Sequence, residues 1–223
     1  MQSRTNLGLD FRGQVTIKSL FSFAHRVGYL QFDVGKPLRL PAVRNRLSER
    51  ILTEPEIKRI ISLEPVLRNR VMLLVLYGSG MRVSELSNLT WRDVQPRQRG
   101  QVQLSIMGKG DKVRTILLPK SLTSSINSLR NGCADDDPVF KSRRGRHLHP
   151  SQIWRIVEAS AKRAGITKNV SPHWFRHAHA SHAIDNQAPL HVIQQCLGHS
   201  SVAVTSMYLH SRPSDGSALY LPL

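Results

Sequence analysis

Cysteine is scarce in this sequence, and Cys133 and Cys196 are the only two among 223 residues. Two cysteines so far apart supply no disulfide framework, and such scarcity is typical of a protein from a reducing compartment. Long apolar runs are also missing, because no stretch approaches the ~18 residues that a membrane-spanning helix needs. The start of the chain, residues 1–13, is polar and lacks the apolar region of a signal peptide. We therefore expect a cytoplasmic or nucleoid-associated protein with no membrane partner.

Acidic residues are few, with 15 Asp and Glu against 32 Lys and Arg, which gives a formal net charge of +17 at pH 7. A protein this basic usually binds a polyanion, and nucleic acid is the commonest one. The alternative is a ribosomal protein or a basic surface that only keeps the protein in solution. No cluster of Asp and Glu accompanies the candidate active-site residues named below, so a two-metal nuclease is not expected.

Histidine, a common metal ligand, is concentrated in a single stretch of the sequence. Five of the ten histidines lie there: His173, His177, His179, His182 and His191. A zinc site would need a motif such as His-Glu-x-x-His or a close pair of cysteines, and neither is present. We therefore predict no metal and no cofactor. We interpret His177, His179 and His182 as helix-surface or packing residues, with His177 as a candidate phosphate contact.

Apolar periodicity predicts a mainly helical chain. One amphipathic helix is predicted over residues 15–32, with Gly28 as its expected end. Thr53 and Glu56 form a capping-box pattern, which predicts a helix that continues to about Leu63. The stretch 66–77 is apolar on all sides, so we expect it at the centre of the core; the glycines at 78 and 80 should interrupt it. Further helices are predicted at residues 82–89, 121–130, 150–164, 173–184 and 187–197.

Two stretches, residues 101–106 and 113–118, change to a period of two and flank a glycine-rich segment at 108–111. This pattern predicts a β-hairpin. The fold class is therefore predicted as α+β, mainly helical with a small antiparallel sheet. Residues 33–50 combine prolines with five Lys and Arg and show little periodicity, so we expect a basic linker there.

Five short motifs carry the chemistry, and each is weak alone. They are Gly80-Met81-Arg82-Val83-Ser84-Glu85-Leu86, Gly108-Lys109-Gly110, His173-Trp174-Phe175-Arg176-His177, Leu197-Gly198-His199 and Tyr208-Leu209-His210. A single arginine is more often a solvated helix residue, and a single tyrosine is more often part of a core. Together and in this order, the motifs resemble the tyrosine recombinase family over roughly residues 50–210. The spacings between Arg176, His199 and Tyr208 are similar to those of Xer-type members.

The resemblance implies a mainly helical catalytic domain that cleaves and rejoins double-stranded DNA at specific sites. It implies six active-site residues: Arg82, Lys109, His173, Arg176, His199 and Tyr208. Tyr208 is the implied nucleophile and forms a 3′-phosphotyrosyl link. Four protomers would exchange strands through a Holliday junction, in some members with the help of an accessory DNA-bending protein.

The two arginines suit this chemistry because the transition state carries extra negative charge on the phosphate oxygens. A guanidinium is always charged and holds two oxygens with one planar fork, which fits Arg82 and Arg176 to a phosphate clamp. Glu85 lies one helical turn after Arg82, and its expected role is to orient a neighbouring arginine.

The remaining positions suit proton transfer. A tyrosine with its free pKa near ~10 is a poor nucleophile and needs a base or a strong field. His173 is the candidate base because histidine titrates near neutrality. Lys109, at the tip of the predicted hairpin, can protonate the departing 5′ oxygen. His199 would add a hydrogen bond to the phosphate.

Further DNA contacts are predicted from the basic residues outside these motifs. The candidates are Arg44, Arg46, Lys112, Lys141, Arg143, Arg144, Arg146 and His177. For the run at 141–146 a plain solvated loop is an equal alternative.

The chain departs from the family pattern at two places. Family members carry a full helical core-binding domain, whereas here we expect only a remnant at 1–32, the linker at 33–50 and the catalytic domain at 51–223. The family often has Asn-Gly where this chain has Asn186-Gln187, and we expect Asn186 to take the left-handed conformation. Two other functions stay open: a type IB topoisomerase, which shares the chemistry, and a DNA-binding remnant or regulator that does not recombine.

Overall fold

The computed structural model describes residues 11–40, 50–108 and 113–198. The chain divides into two compact units, Met1–Asn45 and Arg46–Leu223. The division falls inside the segment predicted as a basic linker. None of the helices within the described stretches is both long and apolar enough to span a membrane.

The first unit contains helix α1, Phe11–Arg26. The helix does not continue to residue 32; it ends close to Gly28, the expected end, whose φ of +77° turns the chain. The amide of Tyr29 then donates to the carbonyl of Ala24 at 2.9 Å, which closes the last turn.

Residues after this turn fold back along α1. The Lys18 ammonium donates to the carbonyl of Leu38 at 2.8 Å, and the Ser22 hydroxyl donates to the Asp33 carboxylate at 2.9 Å. The described part of the predicted linker is therefore held against α1 by side-chain hydrogen bonds.

The second unit contains the remaining described helices and the sheet. Its helices are α2 Glu54–Ser62, α3 Leu67–Ser79, α4 Val83–Asn88, α5 Lys120–Asn127, α6 Pro150–Arg163, α7 Pro172–Asp185 and α8 Leu190–Leu197. Its strands are β1 Val94–Pro96, β2 Val102–Met107 and β3 Val113–Leu118. The mainly helical α+β class predicted from the sequence is confirmed.

Helix α2 begins with the predicted capping box. The Glu56 amide donates to the Thr53 hydroxyl at 3.3 Å, and the Thr53 amide donates to the Glu56 carboxylate at 2.7 Å. These two bonds satisfy backbone donors that no helical carbonyl can reach. The helix buries Ile57, Ile60 and Ile61 against the core.

Helix α3 is the centre of the core, as its apolar sequence predicted. Its fully buried side chains include Val71, Met72, Leu73, Val75 and Leu76, and it packs against α2, α5, α7 and β3. It runs through Gly78, where an interruption was predicted, and ends only at Gly80, which has a φ of +60°. A Cβ at position 80 would lie 2.6 Å from a ring carbon of His179, so both the conformation and the space require glycine.

The sheet is antiparallel in the order β1-β2-β3. The predicted hairpin pairs Val102 with Leu118 and Met107 with Val113. Alternate residues of β2 face the core, as a period of two requires. Strand β1 was not predicted, because three residues are too few to show a period.

The turn between α7 and α8 corrects the expectation for Asn186. Asn186 has a φ of −84°, and Gln187 takes the left-handed conformation at +59°. The Asn186 side-chain amide instead donates to the carbonyl of His182 at 2.8 Å and caps α7. The left-handed position is therefore Gln187, a residue with a side chain.

Candidate active site

Arg82 is fixed at the start of α4. Its amide donates to the Glu85 carboxylate at 2.7 Å, and its Nη1 donates to the same carboxylate at 2.9 Å. Its Nη2 donates to the carbonyl of Gly198 at 3.3 Å. The side chain is 39% exposed, so the guanidinium is held in place and is still open to solvent.

Arg176 lies in the middle of α7 and is only 5% exposed. Its Nη1 donates to the carbonyl of Gly80 at 2.6 Å, and its Nη2 donates to the carbonyl of Leu197 at 2.7 Å. Both acceptors lie at helix ends, where carbonyls have no helical donor. Arg176 therefore joins the end of α3 to the end of α8.

The two predicted phosphate-binding arginines thus meet at one turn. Leu197 and Gly198 are successive residues at the end of α8, and each accepts from one of the two guanidiniums. Gly198 has a φ of +63°, which turns its carbonyl away from the helix axis. Two arginines that are far apart in sequence are therefore brought to the same turn at the end of α8.

His173 lies on α7 one turn before Arg176. Partial desolvation and the nearby charges of Arg176 and Arg82 lower the pKa of its imidazole below the ordinary value of 6.5. The ring is therefore neutral at neutral pH and able to accept a proton. The effect of both guanidiniums on one ring also indicates that the three side chains share a site.

The side chain of Glu85 is only 8% exposed. Burial raises the pKa of its carboxyl, but hydrogen bonds from Arg114 and Arg82 outweigh this effect and hold the pKa below its usual range. Its contact with Arg82 is the kind expected of a residue that orients an arginine.

Arg114 is a residue of this site that the motifs did not indicate. Its Nη1 and Nη2 donate to the two oxygens of Glu85 at 2.9 and 2.7 Å, and its Nε donates to the carbonyl of Cys196 at 2.9 Å. The sequence does hold a signal for it. Arg114 alternates with Ile116 and Leu118 on β3, so an arginine stands on the face that otherwise points to the core.

Several predicted residues lie outside the described residues. These are Arg44, Arg46, Lys109, Lys112, His199 and Tyr208. Of the six predicted active-site positions, the structure therefore describes Arg82, His173 and Arg176, and it brings these three together.

The basic run at 141–146 is at a different place. Arg143, Arg144 and Arg146 line a surface groove of about 590 Å³, together with Arg68. Lys141 is paired with Asp137 at 2.9 Å. Arg68 lies in the first turn of α3, and Gly80, which accepts from Arg176, caps its other end. The groove and the arginine pair are therefore at opposite ends of that helix, and the backbone rises roughly 18 Å between residues 68 and 80 at about 1.5 Å per residue.

His182 and His179 on α7 have packing roles, as interpreted from the sequence, and the interpretation of His177 stays a prediction. His182 is buried, and its Nδ1 is 2.9 Å from the Tyr77 hydroxyl. The Nδ1 of His179 is 2.8 Å from the Tyr77 carbonyl. His177 is partly buried. Among the residues described, no three His, Cys, Asp or Glu side chains are placed to share a metal ion.

Comparisons with known proteins agree with this arrangement. Residues 50–215 match the model of the phage integrase family. Tyrosine recombinase XerA of Pyrococcus furiosus is 37% identical over 182 residues, which are 79% of this chain and 62% of the relative. The chain thus spans less than two thirds of the length of this relative.

Solved structures show the same fold. A crystal structure of XerA recombinase is 31% identical with a TM-score of 0.65, and the match covers 94% of this chain and 73% of that one. A lambda integrase tetramer bound to a Holliday junction is 19% identical with a TM-score of 0.68, and it covers 91% of this chain and 59% of that one. The second match supports the fold alone. With the family model matched over most of its length, the chain belongs to the phage integrase family.

Proposed function

We propose that this protein cleaves and rejoins DNA strands at specific sites through a covalent link to Tyr208. The observation that carries the proposal is the meeting of Arg82 and Arg176 at the end of α8, beside His173. Two fixed guanidiniums next to a neutral imidazole are suited to a phosphodiester that gains negative charge during the reaction.

The two arginines differ in how they would hold the phosphate. Arg176 is buried and fixed by two backbone carbonyls. Its guanidinium is therefore preorganised, and the free-energy cost of reorienting it during the reaction is small. Arg82 is partly exposed and is fixed on one side by Glu85. Solvent can therefore reach the Arg82 guanidinium directly, and a DNA phosphate could replace that solvent.

The proposed reaction needs a proton to leave Tyr208 and another to reach the departing oxygen. The Tyr208 oxygen attacks phosphorus, and neutral His173 accepts the proton of the Tyr208 hydroxyl. The bond from phosphorus to the 5′ oxygen then breaks. Lys109 protonates that oxygen, and His199 donates a hydrogen bond to the phosphate. The 3′-phosphotyrosyl link keeps the energy of the broken bond, so the reverse attack by a 5′-hydroxyl reseals the strand without ATP.

Double-stranded DNA is the proposed partner. The formal net charge of +17 supports this, as does the groove lined by Arg143, Arg144 and Arg146. We place the catalytic domain at 51–223, with residues 1–32 as part of a core-binding domain and 33–50 as the linker. A homotetramer on DNA, in some reactions with an accessory DNA-bending protein, completes the proposal.

The test uses a nicked duplex from which the cleaved end diffuses away, so that a covalent protein–DNA complex accumulates. The unmodified chain should form the complex, and Tyr208→Phe should bind the duplex without forming it. A normal covalent yield from Tyr208→Phe would contradict the assignment of the nucleophile. Binding with no covalent product from either protein would favour a DNA-binding regulator. Relaxation of any supercoiled plasmid by a monomer would favour a topoisomerase.

A further inference from the structure

We propose that Arg114 is a positioning residue of this site, which holds Glu85 and the end of α8 so that Arg82 stays available to the phosphate. The inference rests on the proposed function, because it concerns the same phosphate-binding site. It assigns a role to a side chain on β3 that lies outside the five sequence motifs.

The first support is the geometry of the pair. Both guanidinium nitrogens of Arg114 reach separate oxygens of Glu85, at 2.9 and 2.7 Å. The side chains are only 10% and 8% exposed. A buried ion pair contributes little net stability compared with well-packed apolar residues, since both charges lose their water. The benefit of this pair is therefore better explained by the fixed position that it gives to Glu85.

The second support is the contact between Arg114 and the end of α8. Its Nε donates to the carbonyl of Cys196. A Cβ at Gly198 would lie 3.1 to 3.3 Å from three atoms of the Arg114 side chain, so this side chain lies directly against the backbone there. The next residue in the chain is His199, a proposed phosphate contact. Arg114 thus fixes the segment that leads into it.

The third support is the charge balance around Glu85. The carboxylate accepts two hydrogen bonds from Arg114 and two from Arg82, one from its amide and one from its guanidinium. Without Arg114, Arg82 would be the one guanidinium left on this carboxylate among the residues that the structure describes. Glu85 would then neutralise Arg82 more completely and draw it away from the phosphate. Arg114 therefore preserves the positive charge that Arg82 offers to DNA.

The test compares Arg114→Lys and Arg114→Gln with the matched control Arg97→Gln, an exposed arginine of the same sheet region. Covalent complex formation under single-turnover conditions should fall by about 10- to 100-fold in both Arg114 variants, the range seen when an orienting partner is lost at metal sites. Because Arg114 is nearly buried, the Kd for the same duplex should stay within about twofold of the unmodified value. Arg97→Gln should change neither quantity. Arg114→Lys keeps a positive charge at this position. It is the variant to use if Arg114→Gln unfolds at a lower temperature than the unmodified protein.

A purely structural role would leave the titration of Glu85 unchanged, whereas the proposal predicts a shift in its pKa. Arg114→Gln removes a partner that lowers the pKa of Glu85, so a carboxyl NMR titration should show a higher pKa for Glu85 in this variant. The loss should also be non-additive with that of Glu85→Gln, since both act through one contact. Additive losses, or an unchanged Glu85 pKa, would overturn the proposal.

Failure of this inference is distinguishable from failure of the proposed function. If the unmodified chain forms the covalent complex and both Arg114 variants match Arg97→Gln, the positioning role is wrong and the function stands. If the unmodified chain forms no complex, the function fails. In that case, a carboxyl NMR titration still tests the coupling, and an unchanged Glu85 pKa in Arg114→Gln would overturn it independently.

Discussion

Arg176 donates a 2.7 Å hydrogen bond to the carbonyl of Leu197, the last residue of α8. The same guanidinium donates to the carbonyl of Gly80, which ends α3. The side chain proposed to bind the phosphate is therefore also a connection between two helices of the catalytic unit. This double role separates it from Arg82.

Arg176→Ala should lower both activity and stability. Covalent complex formation should fall by roughly 10²- to 10³-fold, the cost typical of one lost transition-state donor. Each carbonyl left without a donor should cost about 1–3 kcal/mol of unfolding free energy. Single-turnover cleavage and denaturant melts measure the two effects, and unchanged stability would contradict the structural part of the role.

Arg82→Ala should lower cleavage by a similar factor of roughly 10² to 10³ but should leave the melting temperature nearly unchanged. Its side chain is 39% exposed, and its removal leaves Glu85 with both hydrogen bonds from Arg114. Thermal melts of Arg82→Ala and Arg176→Ala, measured side by side, test this expectation. Equal destabilisation by both substitutions would contradict the idea that only Arg176 stabilises the fold.

The pKa of His173 should lie below 6.5, because partial desolvation and the two guanidiniums disfavour its charged form. Neutral His173 then persists below pH 6.5, and the acid limb of the cleavage profile should lie there. In the unfolded chain the ring binds its proton more readily, so this group makes the folded state less stable as pH falls through that range. An imidazole NMR titration measures the pKa, and Arg82→Ala should raise it. A value at or above 6.5 in the unmodified protein would contradict the arrangement.

Gln187→Gly should stabilise the protein. The left-handed conformation costs a residue with a Cβ roughly 1–2 kcal/mol, and glycine loses about 0.5–1 kcal/mol of this gain to chain entropy. The net gain of about 0.5–1 kcal/mol corresponds to a melting temperature higher by a few degrees. Asn186→Gly is the matched control, because its φ is −84° and its side chain caps α7, so it should destabilise.

DNA affinity should depend steeply on salt. If about 6–10 phosphates are contacted, the affinity should fall roughly 10³- to 10⁵-fold between about 50 and 200 mM salt. Replacement of Arg143, Arg144 and Arg146 by Gln should reduce the slope without changing the melting temperature, because these side chains line an exposed groove. The same slope in the triple variant would remove the groove from the DNA interface.

The sequence predicted those parts of the fold whose apolar pattern is strong. The hairpin was predicted correctly because its period of two is regular. Helix α3 was predicted because its sequence is apolar on all sides, although it continues through Gly78. Strand β1 is too short to show a pattern, and its place is set by pairing with β2. The left-handed residue after α7 was predicted one position too early, since local preference favours Asn186 while the tertiary turn selects Gln187.

The site was predictable to the extent that motifs carry it. Arg82, His173 and Arg176 were indicated by their order in the sequence, and the structure brings them together. Arg114 was missed, because a single arginine in a strand is normally interpreted as a surface residue. Its contact with Glu85 depends on how β3 packs against α4 and α8, which no local pattern reveals.

Arg176 connects the ends of α3 and α8, and this has a consequence for the design of an inactive protein that still binds DNA normally. Such a protein should not be made by replacing Arg176. The substitution would also loosen the turn at Leu197 and so change the structure of the proposed DNA-binding site. Tyr208→Phe removes only the proposed attacking oxygen. It is therefore the better variant for capturing the complex with uncleaved DNA.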